Sequence, residues 1–293
     1  MNNCGQGRGS EYRAYGMYVL SLLIFGTNGI LVSHISLASS QIVLLRTLIG
    51  GALLTLLLFV TGGFDGGSVY EERFPLMLGG TALGLNWVSL FEAYRLLNVS
   101  LATLIYYTGP VLALLCSPIL FNEKLTRRKL VAGFVVMIGL FCISGSVVAV
   151  GMSPLGLLAA MASALLYAAL IGFNKRITRT SGMQTAAIEL VVATLVTLAY
   201  AVCVSGLPHV VESDIPYIAA IGIINTGLAY LLYFSGIQKL SGQSVALISY
   251  IDPVSALCFS AFFLHEALTP VQLFGAVLII GGALYGEMRR RSV

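Results

Sequence analysis

One apolar segment of this sequence contains an acidic residue directly before a proline. The run from Val245 to Leu264 is long enough to cross a bilayer, and Asp252 falls near its middle. A carboxylate at that depth costs several kcal/mol, so intramembrane acids usually mark a binding site or an ion pathway. Pro253 removes a backbone donor and crowds the preceding turn, which interrupts a helix and frees carbonyl groups. The pair therefore predicts a broken helix with a functional acid at the break.

A second interruption is predicted in the first half of the chain, at Tyr107-Thr108-Gly109-Pro110. Between positions 104 and 139, 13 of 36 residues are identical to the residue 143 positions later, and Pro110 and Pro253 are one such pair. This identity indicates an internal duplication. Broken helices at matching positions of two halves are the best sequence indication of a transporter's central site. Gly109-Pro110 and Asp252-Pro253 are accordingly the predicted hinges.

The composition predicts a membrane protein. Of the 293 residues, 58% are hydrophobic and 10% are charged, whereas a soluble domain carries about 25% charged residues. The five cysteines are odd in number and mostly lie in apolar segments, which argues against a disulfide framework. The three histidines have no metal-ligand spacing, and the net charge of +4 is a sum over loops. We expect no cofactor, no metal site and no nucleic-acid partner.

Ten apolar segments have about the length needed to span a bilayer. They cover approximately 14–33, 40–60, 74–94, 99–120, 128–147, 154–173, 183–204, 215–235, 243–264 and 270–288. Of the 16 lysines and arginines, 14 fall at the ends that would share one side, with only Arg95 opposite and Arg46 inside a segment. The positive-inside rule assigns that side, with both termini, to the cytoplasm of a cell-membrane protein.

The duplication gives each half five segments, and an odd number inserts the second half upside down relative to the first. The predicted fold is therefore all-α and integral to the membrane, with ten transmembrane helices as two inverted five-helix repeats. The predicted parts are a cytoplasmic tail 1–13, repeats 14–147 and 154–288, and a basic cytoplasmic tail 289–293.

Several short motifs follow one another in a fixed order along both halves. They are Phe25-Gly26-Thr27-Asn28, Arg46, Gly84-Leu85-Asn86-Trp87, Tyr107-Thr108-Gly109-Pro110, Glu123-Lys124-Leu125-Thr126 with Gly133, Gly227-Leu228-Ala229-Tyr230, Asp252-Pro253 and Glu266-Ala267-Leu268-Thr269 with Gly275. With the ten segments and the duplication, this ordered set resembles the EamA-type transporters of the drug/metabolite transporter superfamily over essentially the whole chain. The resemblance implies a ten-helix carrier with a central cavity, often exporting amino acids or other small metabolites, and it leaves the substrate open.

Three charged residues inside the segments are candidates for binding or coupling. Asp252 could bind a cationic group of a substrate or a coupling proton, or it could be a structural acid held by hydroxyl groups or water. Arg46 could attract a substrate carboxylate, or it could extend to the interface and cap neighbouring carbonyls. Glu189 is the equivalent of Arg46 in the second half of the duplication and could belong to a gate or be structural.

Aromatic and amide side chains complete the candidate site. Aromatic rings offer flat apolar surface with a polar tip, although many only pack or anchor a helix. The amides bond either between helices or to a substrate. The candidates are Asn28, Asn86, Trp87, Tyr106, Tyr107, Tyr230 and Tyr250. Glu123 and Glu266 are expected to fix the turns into the next helices, and Gly282 and Gly286 are spaced for close helix contact within a monomer or in a dimer.

The favoured function is secondary-active transport of a small metabolite by alternating access, with export of amino acids or related compounds as the substrate prediction. An uptake permease, a multidrug efflux carrier and a non-transporting membrane protein are the alternatives. The sequence has no nucleophile paired with a base, so an enzyme is not expected. The expected partners are a small-molecule substrate and the lipid bilayer, with a coupling proton as a further candidate. Monomer and homodimer both stay open.

Overall fold

The computed structural model describes residues 3–97, 99–144, 153–263, 265 and 267–288. These residues form helices joined by turns, with no strand among them, which confirms the all-α prediction for this part of the chain. Glu266 and the basic tail 289–293 lie outside the described residues. The helices are α1 (Asn3–Gly26), α2 (Asn28–Val32), α3 (Ser39–Val60), α4 (Gly66–Glu71), α5 (Arg73–Leu96), α6 (Val99–Tyr106), α7 (Thr108–Leu115), α8 (Ser117–Leu120), α9 (Arg127–Ile143), α10 (Pro154–Asn174), α11 (Gly182–Val204), α12 (Ile215–Gly222), α13 (Ala229–Ile237), α14 (Gly242–Ile248), α15 (Ile251–Phe263) and α16 (Pro270–Glu287).

Eight helical stretches in the described residues are long and apolar enough to cross a membrane. They are Ser10–Val32, Ser39–Val60, Arg73–Leu96, Pro154–Asn174, Gly182–Val204, Glu212–Ile237, Gly242–Phe263 and Pro270–Glu287. The predicted fourth and fifth segments contain shorter helices, an apolar stretch Leu101–Leu115 and the 17-residue α9. A multi-pass membrane protein is therefore established, and the count of ten crossings stays a prediction.

The helices break where the paired prolines predict. Tyr107 separates α6 from α7, and Ser249 with Tyr250 separates α14 from α15, so the two breaks lie at equivalent positions of the duplication. A third irregularity was not predicted: residues Ile223–Leu228, between α12 and α13, form a π-helical segment. Such segments leave backbone carbonyls without their usual partners and frequently occur at functional sites.

The two halves pack against each other in matched pairs. Helix α5 of the first half packs on α10, and its equivalent α13 packs on α1. Helix α3 packs on its own equivalent α11, α9 on its equivalent α16, and α7 packs on α10 as its equivalent α15 packs on α1. Exchanging equivalent helices reproduces these contacts, as an internal duplication requires. Helix α7 also packs on α14, whereas their equivalents α15 and α6 make little contact.

Helices α9 and α16 make a close contact through glycines, including the two C-terminal ones that the sequence indicated. A Cβ atom on Gly139 would lie 2.6 Å from the Gly275 carbonyl oxygen, and a Cβ on Gly275 would lie 2.6 Å from that of Gly139. Gly282 and Gly286 also face α9, through the side chains of Val136 and Ala132. The close contact predicted for Gly282 and Gly286 is thus made within the monomer.

The loops form two faces, which we name by their composition. The basic face comprises loops 61–72, 116–126, 175–181 and 238–241, and the opposite face comprises loops 33–38 and 205–214.

On the basic face the carboxylate of Glu72 accepts hydrogen bonds from the backbone N–H groups of Thr178, Arg179 and Thr180 at 2.7–3.0 Å. Burial alone would raise the pKa of the Glu72 carboxyl, but these hydrogen bonds lower it below its usual value.

Glu123 makes a second connection between the halves on the basic face. Its two carboxylate oxygens accept hydrogen bonds from the N–H groups of Gly242 at 2.6 Å and Gln243 at 3.0 Å. These are N–H groups of the first turn of α14, which have no acceptor within their own helix. The expectation that Glu123 fixes the turn into α9 is wrong, because Thr126 caps that helix and Glu123 caps α14 of the other half.

Candidate functional site

A cavity of about 610 Å³ lies between the two halves at the level of the broken helices. Val32, Ser39 and Val99 line it at the opposite face, so the cavity extends from Asp252 to that face. Toward the basic face it ends at buried tyrosines. The hydroxyl of Tyr18 donates to the carbonyl oxygen of Val245 at 3.1 Å and joins α1 to α14. The volume lies within the roughly 300–1,000 Å³ common for small-molecule sites.

Asp252 lines the cavity in the first turn of α15. Its carboxylate accepts a hydrogen bond from the Tyr107 hydroxyl at 3.1 Å, which joins the two predicted breaks. The partial positive charge at a helix N-terminus favours a carboxylate at this position. None of the ion pairs in the described residues includes Asp252. The acid is therefore held by a hydroxyl group and is placed to meet a ligand.

Arg46 lines the same cavity from α3 and is bound to the π-helical segment. Its Nε donates to Thr226 Oγ1 at 2.9 Å, and an Nη donates to the carbonyl oxygen of Asn225 at 3.2 Å. The guanidinium also lies 5.4 Å from the ring centroid of Trp87, within the range of a cation–π contact. A guanidinium has five N–H donors, so these two bonds leave donors for an anionic group in the cavity.

Aromatic side chains form much of the cavity wall. The Trp87 ring meets Tyr230 edge-on at 5.7 Å, and Tyr230 lies 4.9 Å from Phe25. Tyr106 lies 5.1 Å from Tyr107. These edge-on and tilted contacts are the favoured arrangements for aromatic pairs. The wall offers flat apolar surface between one cation and one acid.

The two candidate amides, Asn28 and Asn86, differ in their hydrogen-bond partners. Asn28 lines the cavity, and its Oδ1 accepts a hydrogen bond from Asn225 at 3.2 Å. Asn86 also lines the cavity, but it is almost fully buried and its Nδ2 donates to the carbonyl oxygen of Ser163 at 2.7 Å. Asn28 is therefore connected through Asn225 to Arg46, whereas Asn86 connects α5 to α10.

Four of the predicted residues do not line the cavity. Tyr250 is fully buried and donates to the carbonyl oxygen of Tyr107 at 2.5 Å. Gly109 packs against the carbonyl oxygen of Ala164, and Pro253 is buried within α15, whereas Pro110 does line the cavity. Glu189 is fully buried at a separate place, where it accepts hydrogen bonds from Asn174.

Several lining residues were not among the candidates. Many of them are aliphatic residues and glycines, and the rest are aromatic and hydroxyl side chains from both halves, including Phe25, Phe91, Tyr94, Thr103, Tyr167, Tyr233 and Ser249. Phe91 and Tyr94 lie one and two turns beyond Trp87 on α5, so helical spacing from Trp87 is the signal that indicates them. The sequence alone does not separate them from aromatic residues that face lipid.

The comparison with family models decides the family. The model of the EamA-like transporter family matches two stretches, residues 13–145 and 154–285, which together cover most of the chain. The chain belongs to the EamA-like transporter family. The resemblance stated from the motifs is thereby confirmed, and so is the two-repeat architecture.

Curated relatives of this EamA-family chain include named transporters. An uncharacterized transporter, YxxF, of Bacillus subtilis (strain 168) is 26% identical over 94% of this chain and 89% of its own length. The threonine/homoserine exporter RhtA of Escherichia coli (strain K12) is 26% identical over 76% of this chain and 74% of its own length. A probable amino-acid metabolite efflux pump of Salmonella typhimurium is 27% identical over 66% of this chain and 69% of its own length.

A solved crystal structure shares the fold of the EamA-family chain. It superposes with a TM-score of 0.81 and 23% sequence identity, and the match covers 94% of this chain and 97% of the other. At that identity the similarity establishes the fold and carries no information about substrate.

Proposed function

We propose that this EamA-family protein is a secondary transporter that exports amino acids or related small zwitterions by alternating access. One observation carries the proposal: a cavity that reaches only one face contains both Arg46 and Asp252 on an aromatic wall. In this arrangement Asp252 binds the ammonium group of the substrate and Arg46 binds its carboxylate. The aromatic wall accommodates the apolar part of the substrate.

The transport cycle follows from the two repeats. We assign 14–147 and 154–288 to inverted five-helix repeats that together cross the membrane ten times, with the basic face and both termini in the cytoplasm. The described conformation is then outward-open, since its cavity reaches the opposite face. Rocking of the repeats about Gly109-Pro110 and Asp252-Pro253 would close the opposite face and open the basic face. The amino-acid exporter named among the relatives supports this direction.

The decisive experiment is counterflow in proteoliposomes with a panel of radiolabelled amino acids that includes threonine, homoserine and phenylalanine. We expect at least one amino acid to exchange, and its exchange to fall strongly in Asp252→Asn. Binding should also raise the thermal stability of the purified protein, by about 2.7 kcal/mol at a hundredfold excess over Kd. Counterflow of no amino acid, together with competition by lipophilic cations for binding, would instead favour multidrug efflux.

A further inference from the structure

Glu189 is an acid inside the membrane for which the substrate cavity has no use. Its side chain is 0% exposed, and it does not line the cavity. Both carboxyl oxygens accept hydrogen bonds from one amide, Asn174 Nδ2, at 3.0 and 3.1 Å. None of the ion pairs found in the described residues includes Glu189. A buried ionised carboxylate without a cation is costly, so this surrounding favours the neutral acid.

The structure around Glu189 is shaped for a carboxyl group. On α5, a Cβ atom at Gly79 would lie 2.1 Å from Glu189 Oε1, so glycine at this position leaves room for the carboxyl group where it lies. Asn174 is also fully buried, and its Oδ1 has no hydrogen-bond partner among the described residues. The same Nδ2 also donates to the carbonyl oxygen of Leu170 at 3.1 Å, which holds the orientation of the amide. A neutral carboxylic acid has one O–H donor, the kind of group that this amide oxygen lacks.

The neighbouring helices bring few charges to this place. Helix α3 carries Arg46, which is bound to the π-helical segment, and the charged groups of α5 lie at its two ends. The titratable groups on α10 and α13 are tyrosines, which are neutral near pH 7. They are Tyr167, Tyr230 and Tyr233.

The duplication indicates when Glu189 meets water. Glu189 is the equivalent of Arg46, on the helix equivalent to α3. Arg46 lines the cavity that reaches the opposite face. Exchanging the two halves gives the conformation that is open at the basic face, and there Glu189 takes the place that Arg46 has here. The Glu189 carboxyl group is then buried in one conformation and exposed to water in the other.

We propose that Glu189 is a proton-binding site that is occupied while the basic face is closed and that releases its proton when this face opens. The ligand is a proton, and the carboxylic acid O–H bond is the bond that breaks. Because the closed conformation binds one more proton than the open one, low pH favours closure. The inference rests on the proposed alternating access and goes beyond it, because it separates the proton site from the substrate cavity.

The test measures conformation rather than transport. Spin labels replace the exposed Lys124 and Lys239, on two loops of the basic face, in a background without the native cysteines. Pulsed dipolar spectroscopy then gives the distance between the labels in the purified protein from pH 5 to pH 9. In the wild-type background we expect the open-to-closed ratio to rise with pH, by at most about tenfold per pH unit for one proton. In Glu189→Gln, which mimics the neutral acid, we expect the closed distance at every pH.

Control variants distinguish proton binding at Glu189 from proton binding at Asp252. Asp252→Asn, which removes the other intramembrane acid, should keep the pH dependence. If Asp252→Asn abolishes it and Glu189→Gln keeps it, the proton binds to Asp252 and the proposal is wrong. A wild-type distance that does not change with pH also overturns it. If Glu189→Gln does not fold, the uncharged Glu189→Met replaces it with the same expectation. Because no substrate is needed, a protein that shows no amino-acid counterflow still gives a result here.

Discussion

Arg46 and Glu189 occupy equivalent positions in the two halves, yet their surroundings differ. Arg46 lines the cavity and bonds to a π-helical segment of the other half, whereas Glu189 is sealed between Asn174 and Gly79. Most helix contacts are repeated between the halves, but the α7–α14 contact is not, so the difference comes from the conformation and from the opposite charges. A duplicated fold in one conformation thus presents one of two equivalent positions to solvent and buries the other.

The two faces also differ in how many hydrogen bonds a loop carboxylate accepts from the other half. On the basic face Glu72 accepts bonds from three residues of loop 175–181. On the opposite face, Asp214 accepts bonds from the N–H and hydroxyl groups of Ser36, at 3.0 and 2.6 Å. Ser36 and Arg179 are equivalent positions of the two halves, whereas Asp214 is equivalent to Glu71, so the acid that makes the contact differs by one position between the halves. The more extensive contact lies on the closed face.

The largest expected effect concerns Arg46, the position that lines the cavity. Arg46→Ala should lower amino-acid counterflow by about a hundredfold, because an ionised hydrogen-bond partner contributes roughly 1.5–3 kcal/mol. Arg46→Lys keeps the charge but loses the planar fork, so we expect a loss of about tenfold. Arg95→Ala removes an exposed arginine at the opposite face and should leave counterflow unchanged. Wild-type counterflow in Arg46→Ala would remove Arg46 from the substrate site.

The second prediction concerns Glu72 on the basic face, whose contribution to stability depends on pH. Glu72→Gln should cost about 2 kcal/mol of stability at pH 7, because the carboxylate loses its charge-assisted bonds. The folded pKa of Glu72 is lowered, so its contribution is present above the unfolded value of about 4.3 and is lost as pH falls through the folded value. The destabilisation, measured by thermal unfolding in detergent, should therefore shrink below about pH 4.

Two comparisons check this prediction. Glu71→Gln changes the neighbouring acid, which pairs with Arg179 at the surface and should contribute little. Asp214→Asn changes the acid that bonds to Ser36 on the opposite face, and it should cost less than Glu72→Gln. An equal loss in Glu71→Gln would mean that overall charge, rather than the buried contact, determines the effect.

The sequence predicts the parts of this site whose chemistry is local. A proline in a helix interior disrupts the turn before it, so a break before Pro110 and a break before Pro253 could be predicted, and they lie at Tyr107 and at Ser249 with Tyr250. The cost of a charge in lipid likewise identified Asp252 and Arg46. The duplication predicted breaks at equivalent positions of the two halves, because similar sequences form similar local structure.

Other parts depend on packing that no local pattern encodes. The π-helical segment that binds Arg46 forms from ordinary apolar residues with Asn225 and Thr226. In a bilayer every face of a helix is apolar, so Phe25 and Tyr94 could not be distinguished from lipid-facing residues. The partner of Glu123 lies 119 residues away, at Gly242, and only the fold brings the two together.

A third prediction tests whether this long-range contact keeps the basic face closed. Glu123→Gln keeps one acceptor but loses the charge, so we expect a cost of about 1 kcal/mol, or roughly a fivefold shift toward the open basic face. A cysteine replacing the buried Val245 should then react about five times faster with a thiol reagent applied from that face. Glu92→Gln, on the opposite side, should not change this rate. An unchanged rate in Glu123→Gln would assign closure to the tyrosine layer around Tyr18.

The last prediction compares two glycines at equivalent positions of the two halves, Gly79 and Gly222. In Gly222→Ala the new Cβ would lie 2.6 Å from Cγ2 and 2.7 Å from Cβ of Ile49, a branched side chain close to its backbone. In Gly79→Ala the new Cβ meets the Glu189 carboxyl, the end of a longer and more adaptable chain. We therefore expect Gly79→Ala to cost about 1 kcal/mol in thermal unfolding and Gly222→Ala about 2 kcal/mol. Only Gly79→Ala should alter the pH dependence of the label distance, because only it displaces Glu189 from Asn174. If both variants leave that dependence as in the wild type, the position of Glu189 against Asn174 does not control proton binding, and the acid works without this contact.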